Sequence, residues 1–248
     1  MIVTKSAAEL DLMRDAGRVT AAALRAVGEA VRPGVTTGAL DVLAEDVIRS
    51  AGAVPAFKGY HGFPGSLCTS INAEVVHGIP GERRLQQGDI LSVDCGAIVD
   101  GYYGDAAMTF AVGEVAEEAL RLMRVTEESL EAGIACCHPG RRLHDISAAV
   151  QAVVEDAGYS VVREYVGHGI GRNMHEDPQV PNYGQAGTGP ALQAGMVLAI
   201  EPMVNAGGAE VRSLDDGWTV VTVDGRLSAH FEHTVAITAS GPLVLTAD

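Results

Sequence analysis

Leu85-Gln86-Gln87-Gly88-Asp89-Ile90-Leu91-Ser92-Val93-Asp94 and Leu192-Gln193-Ala194-Gly195-Met196-Val197-Leu198-Ala199-Ile200-Glu201 follow one pattern: Leu-Gln-x-Gly, an apolar run, then a carboxylate. Strand propensity accounts for the apolar residues but not for the acids. Asp and Glu are poor strand formers and are costly to bury without a partner. Two such acids at equivalent places point to a shared cation.

The repetition extends outward from that pair. Pro33-Gly34 is followed by a helical pattern of Leu40, Leu43, Ala44, Val47 and Ile48 that ends at Ala51-Gly52. Pro139-Gly140 is followed at matching distances by Ile146, Ala149, Val150, Val153 and Val154, ending at Ala157-Gly158. The offset is 106 residues here and 107 in the strand pair, so register holds over more than fifty residues. Two segments at nearly one offset indicate an internal duplication, each copy a helical hairpin followed by strands.

A chain of 248 residues with 47% hydrophobic residues is expected to form a single catalytic domain over residues 1–248. At that size it can bury roughly 70 to 75% of its unfolded surface. No Ser-rich, Pro-rich or single-charge stretch marks a linker. The opening Met1-Ile2-Val3-Thr4-Lys5 lacks a hydrophobic signal region, and no apolar run approaches the roughly 20 residues that span a bilayer. A cytoplasmic protein with no membrane partner is expected.

Seventeen basic and 32 acidic residues leave a net charge of -15, which argues against a general nucleic-acid binder. Lys5, Arg14, Arg18 and Arg25 read as a solvated helix face. Cys68, Cys95, Cys136 and Cys137 are too few and too unevenly spaced for a secreted disulfide framework or a zinc site of Cys-x-x-Cys type, so reduced thiols are expected, the last two as buried helix-end residues.

A coarse pass predicts the architecture. Ser6-Ala7-Ala8-Glu9 is a capping box that opens a helix ended by Pro33-Gly34, and a second helix runs to Gly52. Residues 53–80 read as loop plus a short strand. Residues 90–110 read as two strands around the hairpin signal Asp100-Gly101. Helices follow near 116–134 and 143–156, then strands at 161–166, 196–201, 218–223 and 227–237, with Asp224-Gly225 as a second hairpin turn. Helices precede strands in each half, an α+β arrangement with helices on one face of a largely antiparallel sheet. The other face is free to carry a site.

The first hairpin locates it. With a two-residue turn Asp94 faces Ala107, and Asp105 becomes its diagonal neighbour on the same side of the sheet. Adjacent carboxylates repel unless one takes a proton or a divalent cation joins them. On the last strand His230, Glu232 and Thr234 form a polar face. His168 stands among closely spaced glycines in Gly167-His168-Gly169-Ile170-Gly171, with His175 seven residues on. Any one of these residues alone reads as an edge charge or an ordinary histidine. Two Asp, two Glu and one His converging from strand ends suit a centre in which carboxylates bridge two metals.

Val93-Asp94, the spacing of eleven to Asp105, Gly167-His168-Gly169-Ile170-Gly171 with His175, Ile200-Glu201-Pro202 and Phe231-Glu232-His233-Thr234 together resemble a type I methionine aminopeptidase of bacterial kind. His77 and Trp218 are also in place, and the resemblance covers nearly the whole chain. It implies the pita-bread (creatinase/aminopeptidase) fold with internal pseudo-twofold symmetry. It implies that Asp105 and Glu232 bridge two divalent ions, that Asp94 binds one, and that His168 and Glu201 bind the other. Manganese, iron, cobalt and zinc all suit such a donor set.

The same resemblance assigns His77 to the amide nitrogen of the scissile bond, His175 to the substrate carbonyl oxygen, and Glu201 to proton transfer. It places Tyr60, Phe63, Cys68, Met174 and Trp218 around the methionine side chain. A two-residue hairpin turn at Asp224-Gly225 would set Trp218 opposite Phe231. Nascent polypeptide N-termini are the expected partners, the ribosome a candidate place of encounter, and the protein a monomer. The activity implied is removal of the initiator methionine, with a small second residue preferred. A proline-directed peptidase of the same fold and a metal-free peptide-binding relative are the alternatives. Cys68, with His77 nine residues on, has a second reading as a catalytic thiolate, but no orienting third group is evident. The run from Gly184 to Gly189 is glycine-rich like a phosphate loop but lacks its lysine and following helix, and reads as a surface connection.

Overall fold

The computed structural model describes residues 2–247; Met1 and Asp248, the end residues of the expected domain, lie outside the described residues. Helix α1 (Ala7–Ala30) begins at the capping box, where Ser6 Oγ accepts the Glu9 N–H and Glu9 Oε2 accepts the Ser6 N–H at 2.8 Å. Its buried residues Met13, Ala16, Gly17, Thr20, Ala23, Leu24 and Val27 recur every three or four positions and make one face. Helix α2 (Thr37–Ser50) is capped by Thr36, whose hydroxyl accepts the Ala39 N–H at 3.1 Å. Short strands follow: β1 (Val54–Pro55), β2 (Leu67–Ile71) and β3 (Glu74–Val76), then the long pair β4 (Ile90–Val99) and β5 (Tyr102–Ala111).

The second half repeats this order. Helices α3 (Glu117–Ile134) and α4 (Leu143–Asp156) lead into β6 (Ser160–Val161), β7 (Gly167–Gly169), β8 (Glu176–Val180), β9 (Val197–Ile200) and β10 (Met203–Asn205). The chain ends in β11 (Val211–Ser213), β12 (Val220–Thr222), β13 (Ser228–His230), β14 (Glu232–Thr238) and β15 (Gly241–Val244). The main sheet has nine strands in the order β1-β4-β5-β14-β9-β7-β8, with β2 added to β4 and β15 to β14. The strand pairs are antiparallel, as expected.

The duplication is visible bond by bond. Gly34 N–H donates to Leu85 O at 2.8 Å and Gly140 N–H donates to Leu192 O at 3.0 Å. Ala53 N–H reaches Ile48 O and Tyr159 N–H reaches Val154 O, each at 3.1 Å. Gly88 and Gly195 hold φ of 93° and 91°, a left-handed turn that side chains disfavour, which explains why the repeated Leu-Gln-x-Gly keeps its glycine. The pseudo-twofold runs between β5 and β14. It exchanges β4 with β9, hence Asp94 with Glu201, and Asp105 with Glu232.

Helices cover one face only. Leu24, Val27, Leu40, Ala44 and Ile48 pack with Val93, Cys95 and Ala97, so the Cys95 thiol points to the helix side and Asp94 to the open side. Backbones meet closely where α1 crosses β5: a Cβ on Gly104 would lie 2.7 Å from Gly17 N. No described helix is long and apolar enough to cross a membrane.

Several expectations are corrected. Asp224-Gly225 is a turn but not a hairpin: β12 pairs with β11 and β3, whereas β13 pairs with β10. The Asp224 carboxylate accepts the N–H groups of Gly208 and Arg226, which turns the chain onto a different partner. Trp218 is therefore not across a ladder from Phe231. The predicted strand 227–237 is broken at Phe231, whose N–H reaches Pro202 O at 3.3 Å. The 161–166 strand shrinks to Ser160–Val161, and residues 53–80 hold three strands, where one was expected. β2 escaped notice because it is buried on both faces and shows no alternation. Lys5 is not on a solvated face; it precedes α1 and is buried. Cys137 is buried just past α3, but Cys136 is half-buried.

Candidate metal centre and active site

Asp100 and Gly101 both take positive φ, 48° and 78°, which gives the two-residue turn whose twist suits a hairpin. That turn sets the register Asp94↔Ala107 and Gly96↔Asp105, so the two aspartates are diagonal neighbours on the open face. Across the pseudo-twofold, Glu232 pairs with Ala107 on β5, and Glu201 follows β9, where Pro202 cannot continue the ladder. Thr234 locks β14 to β5: its hydroxyl donates to Asp105 O at 2.7 Å and accepts the Asp105 N–H at 3.0 Å. Asn182 Nδ2 donates to Glu201 O at 2.9 Å.

His168 arrives on β7, beside β9. Its Nδ1 lies 2.9 Å from Gly169 O. A carbonyl only accepts, so Nδ1 carries the proton and Nε2 keeps its lone pair, 3.5 Å from Glu201 Oε1. Asp105, His168 and Glu232 each offer a ligand atom within 4.8 Å of the others.

All twelve residues singled out from the sequence, Tyr60, Phe63, Cys68, His77, Asp94, Asp105, His168, Met174, His175, Glu201, Trp218 and Glu232, line one cavity of about 240 Å³. Phe63, Cys68 and Met174 form a buried apolar cluster together with Ala56 and Phe57, and Tyr60 and Trp218 pack against it. Trp218 stands edge-on to Phe63 with ring centroids 5.0 Å apart, held by Asp216, which accepts the Trp218 N–H at 2.9 Å. Phe57 and His61 also line the cavity and were not foreseen. His61 takes φ of 48°, a conformation with no signature in its own residue type. Tyr165, edge-on to His77 at 5.5 Å, was missed too, being one aromatic in a predicted strand.

The electrostatics define what the site can hold. Burial raises Asp94, Glu201 and Glu232 well above the usual carboxylate range, and neighbouring carboxylates push the same way. Burial brings Asp105 to about 7. Four acids in this space cannot all ionise without a cation. The imidazoles add none: burial, then His175, lower His168 and His77 to about 4, and burial, then His61, lowers His175. Asp94 Oδ1, Asp105 Oδ1 and Glu232 Oε1 are buried without a hydrogen-bond partner. Orphaned carboxylate oxygens beside a neutral imidazole nitrogen are a donor set for divalent cations. Cys68 is the reverse of an activated thiol, since burial and the nearby Asp94 and Asp105 raise it well above the ordinary value.

The chain belongs to metallopeptidase family M24, whose sequence profile matches residues 11–239. It is 56% identical over 246 residues to a methionine aminopeptidase of Clostridium perfringens, covering 99% of each chain. Its fold superposes on the crystal structure of methionine aminopeptidase from Thermotoga maritima with a TM-score of 0.99, 49% identity and full coverage of both chains. Prolidase from Pyrococcus furiosus shares the fold at a TM-score of 0.80 and 23% identity, this chain covering 66% of it. The pita-bread architecture and divalent-metal use follow from this membership.

Proposed function

We propose that this chain removes the initiator methionine from new polypeptides by hydrolysis at a dinuclear metal centre, with Asp94, Asp105, His168, Glu201 and Glu232 as ligands and residues 1–248 as one catalytic unit. The observation that carries the reading is a single cavity in which orphaned carboxylate oxygens face a thioether-sized apolar pocket. Relatives similar over their whole length bear the name of that activity.

Asp105 and Glu232, exchanged by the pseudo-twofold, would bridge the ions; Asp94 would hold one, His168 and Glu201 the other. Divalent ions bound there supply Lewis acidity and an acidified water. The chain's own residues do the rest. Glu201 accepts a proton from the attacking water and passes it to the departing amine. His175, on the cavity wall, donates to the substrate carbonyl oxygen as charge grows on it. His77 contacts the scissile amide nitrogen. Phe63, Cys68, Met174 and Trp218 receive the unbranched methionine side chain, which packs well into irregular apolar space. Nascent chains at the ribosome are the substrates, and the enzyme acts as a monomer.

Hydrolysis of Met-X-Ser peptides with X as Gly, Ala, Val, Leu and Lys, beside Leu-Ala-Ser and Ala-Pro, tests the reading. Preference for methionine followed by a small residue is expected. Norleucine, which differs little in shape, should be discriminated by only about 1 to 3 kcal/mol. Equal cleavage of Met-Ala and Met-Lys peptides, or faster cleavage of Leu-Ala or Ala-Pro, would overturn it.

A further inference from the structure

We infer that Lys5 is a positioning residue for the His175 side of the site, acting through Glu176; the inference rests on the peptidase reading for the role of His175. Lys5 lies outside the cavity, on the segment before α1. Its Nζ donates to Glu176 Oε2 at 2.6 Å and to Val3 O at 3.3 Å, and its own N–H reaches Gly195 O at 2.7 Å. The side chains of the pair are 5% and 11% exposed, which separates this contact from the surface ion pairs of α1, such as Arg18 with Asp15 at 62% and 56%.

Glu176 directly follows His175. Its second oxygen, Oε1, accepts the Asn173 N–H at 3.2 Å and so closes the turn that presents Met174 and His175 to the cavity. The lysine stem lies across that turn: a Cβ on Gly171 would meet Lys5 Cε at 2.5 Å and Glu176 Oε1 at 2.7 Å. The start of the turn is tied to the same N-terminal segment by another route. Arg172 stacks over the Tyr102 ring at 4.3 Å, and the Tyr102 hydroxyl donates to Glu9 Oε1 at 2.7 Å. Residues 5–9 therefore hold both ends of the turn 172–176 from behind.

The consequence is geometric. A buried charge-assisted hydrogen bond is short and directional, and removing one partner leaves the other buried and uncompensated. Glu176 then reorients, the Asn173 bond loosens, and His175 loses the placement an oxyanion donor needs, to within about 0.5 Å. Lys5 touches no substrate; its effect on rate must pass through His175.

Purified Lys5→Met and Glu176→Gln enzymes, each loaded with Mn2+, are assayed on Met-Ala-Ser for kcat, KM and bound metal, in the wild-type background and with His175→Ala. Displacement of a catalytic group by about an ångström predicts a kcat loss on the order of 10- to 100-fold, with metal content intact and KM changed less. Lys5→Arg should recover part of the rate. In the His175→Ala background Lys5→Met should cost little more, because both substitutions remove one contribution. Unchanged kcat, loss of metal in parallel with rate, or an equal loss in the His175→Ala background would overturn the inference. Should Lys5→Met not fold, Glu176→Gln carries the same comparison with a side chain of nearly the same shape. A wild-type enzyme inactive on Met-Ala-Ser would instead refute the peptidase reading itself.

Discussion

The Tyr60 hydroxyl lies 2.8 Å from Nδ1 of His175. A phenol donates readily to a neutral imidazole, and burial lowers His175, which favours the neutral ring. With Nδ1 accepting, the ring proton belongs on Nε2, the tautomer that the proposed role of donor to the substrate carbonyl requires. Tyr60, expected from the resemblance to be part of the methionine pocket wall, thus also sets the tautomer of its neighbour.

Removing each member of this pair separates its parts. His175→Ala should retain its metal and lose on the order of 10²-fold or more in kcat, the cost of a lost oxyanion donor. Tyr60→Phe should retain metal and lose less, since the proton can still reach Nε2 without the phenol to favour it. Metal analysis with steady-state kinetics checks both; metal loss in His175→Ala would make that residue a ligand.

Metal uptake should release protons, and the sign follows from the carboxylates. A group whose folded value is raised keeps its proton below that value, whereas a cation takes only the anion. Asp105, at about 7, is therefore largely protonated in the metal-free protein at pH 6, and burial pushes the other acids in the same direction. Affinity should fall as pH drops below about 7. The imidazoles at about 4, His168 and His77, contribute no protons at pH 6. Calorimetric titration with Mn2+ in buffers of different ionisation heat reads the proton number, and a value of zero at pH 6 would refute it.

Cys68→Ala tests the thiolate alternative. A buried thiol held far from ionisation contributes packing rather than chemistry. The substitution should raise KM for Met-Ala-Ser by about tenfold or less, in line with a small change in an apolar pocket, and leave kcat within a few fold. Abolished turnover with metal in place would restore the nucleophile reading.

The close crossing of α1 over β5 makes a stability prediction independent of activity. A Cβ at Gly104 meets the backbone of Ala16 and Gly17, not the end of a flexible side chain, so α1 must shift. Gly104→Ala should destabilise by about 1 to 3 kcal/mol in urea unfolding, the range for overpacked cores.

Much of the site was legible because two strong local signals coincided. Asp100-Gly101 sets one register, which fixes Asp94 against Asp105; the repeat carries Asp94 across to Glu201, and the polar alternation of His230, Glu232 and Thr234 marks Glu232. Asp224-Gly225 looked identical in sequence and failed. A turn dipeptide specifies the bend, while the strands on either side pair with whichever neighbours tertiary packing supplies, here β3 and β10. Lys5 was misjudged for a related reason. Its burial comes from Glu176, 171 residues away, and no local pattern encodes that partner. Phe57 and His61 were missed because a loop bends them into the cavity from a segment without periodicity.

The central claim is that Asp105 and Glu232 together hold two ions between them. It is tested most directly by counting bound metal and measuring Met-Ala-Ser hydrolysis on the same samples of Asp105→Asn and Glu232→Gln. Each substitution keeps the side chain's shape and removes a carboxylate from a buried site. The account predicts a folded protein that has lost at least one metal ion and nearly all turnover. Near-normal hydrolysis by either variant, or two ions retained in both, would contradict it.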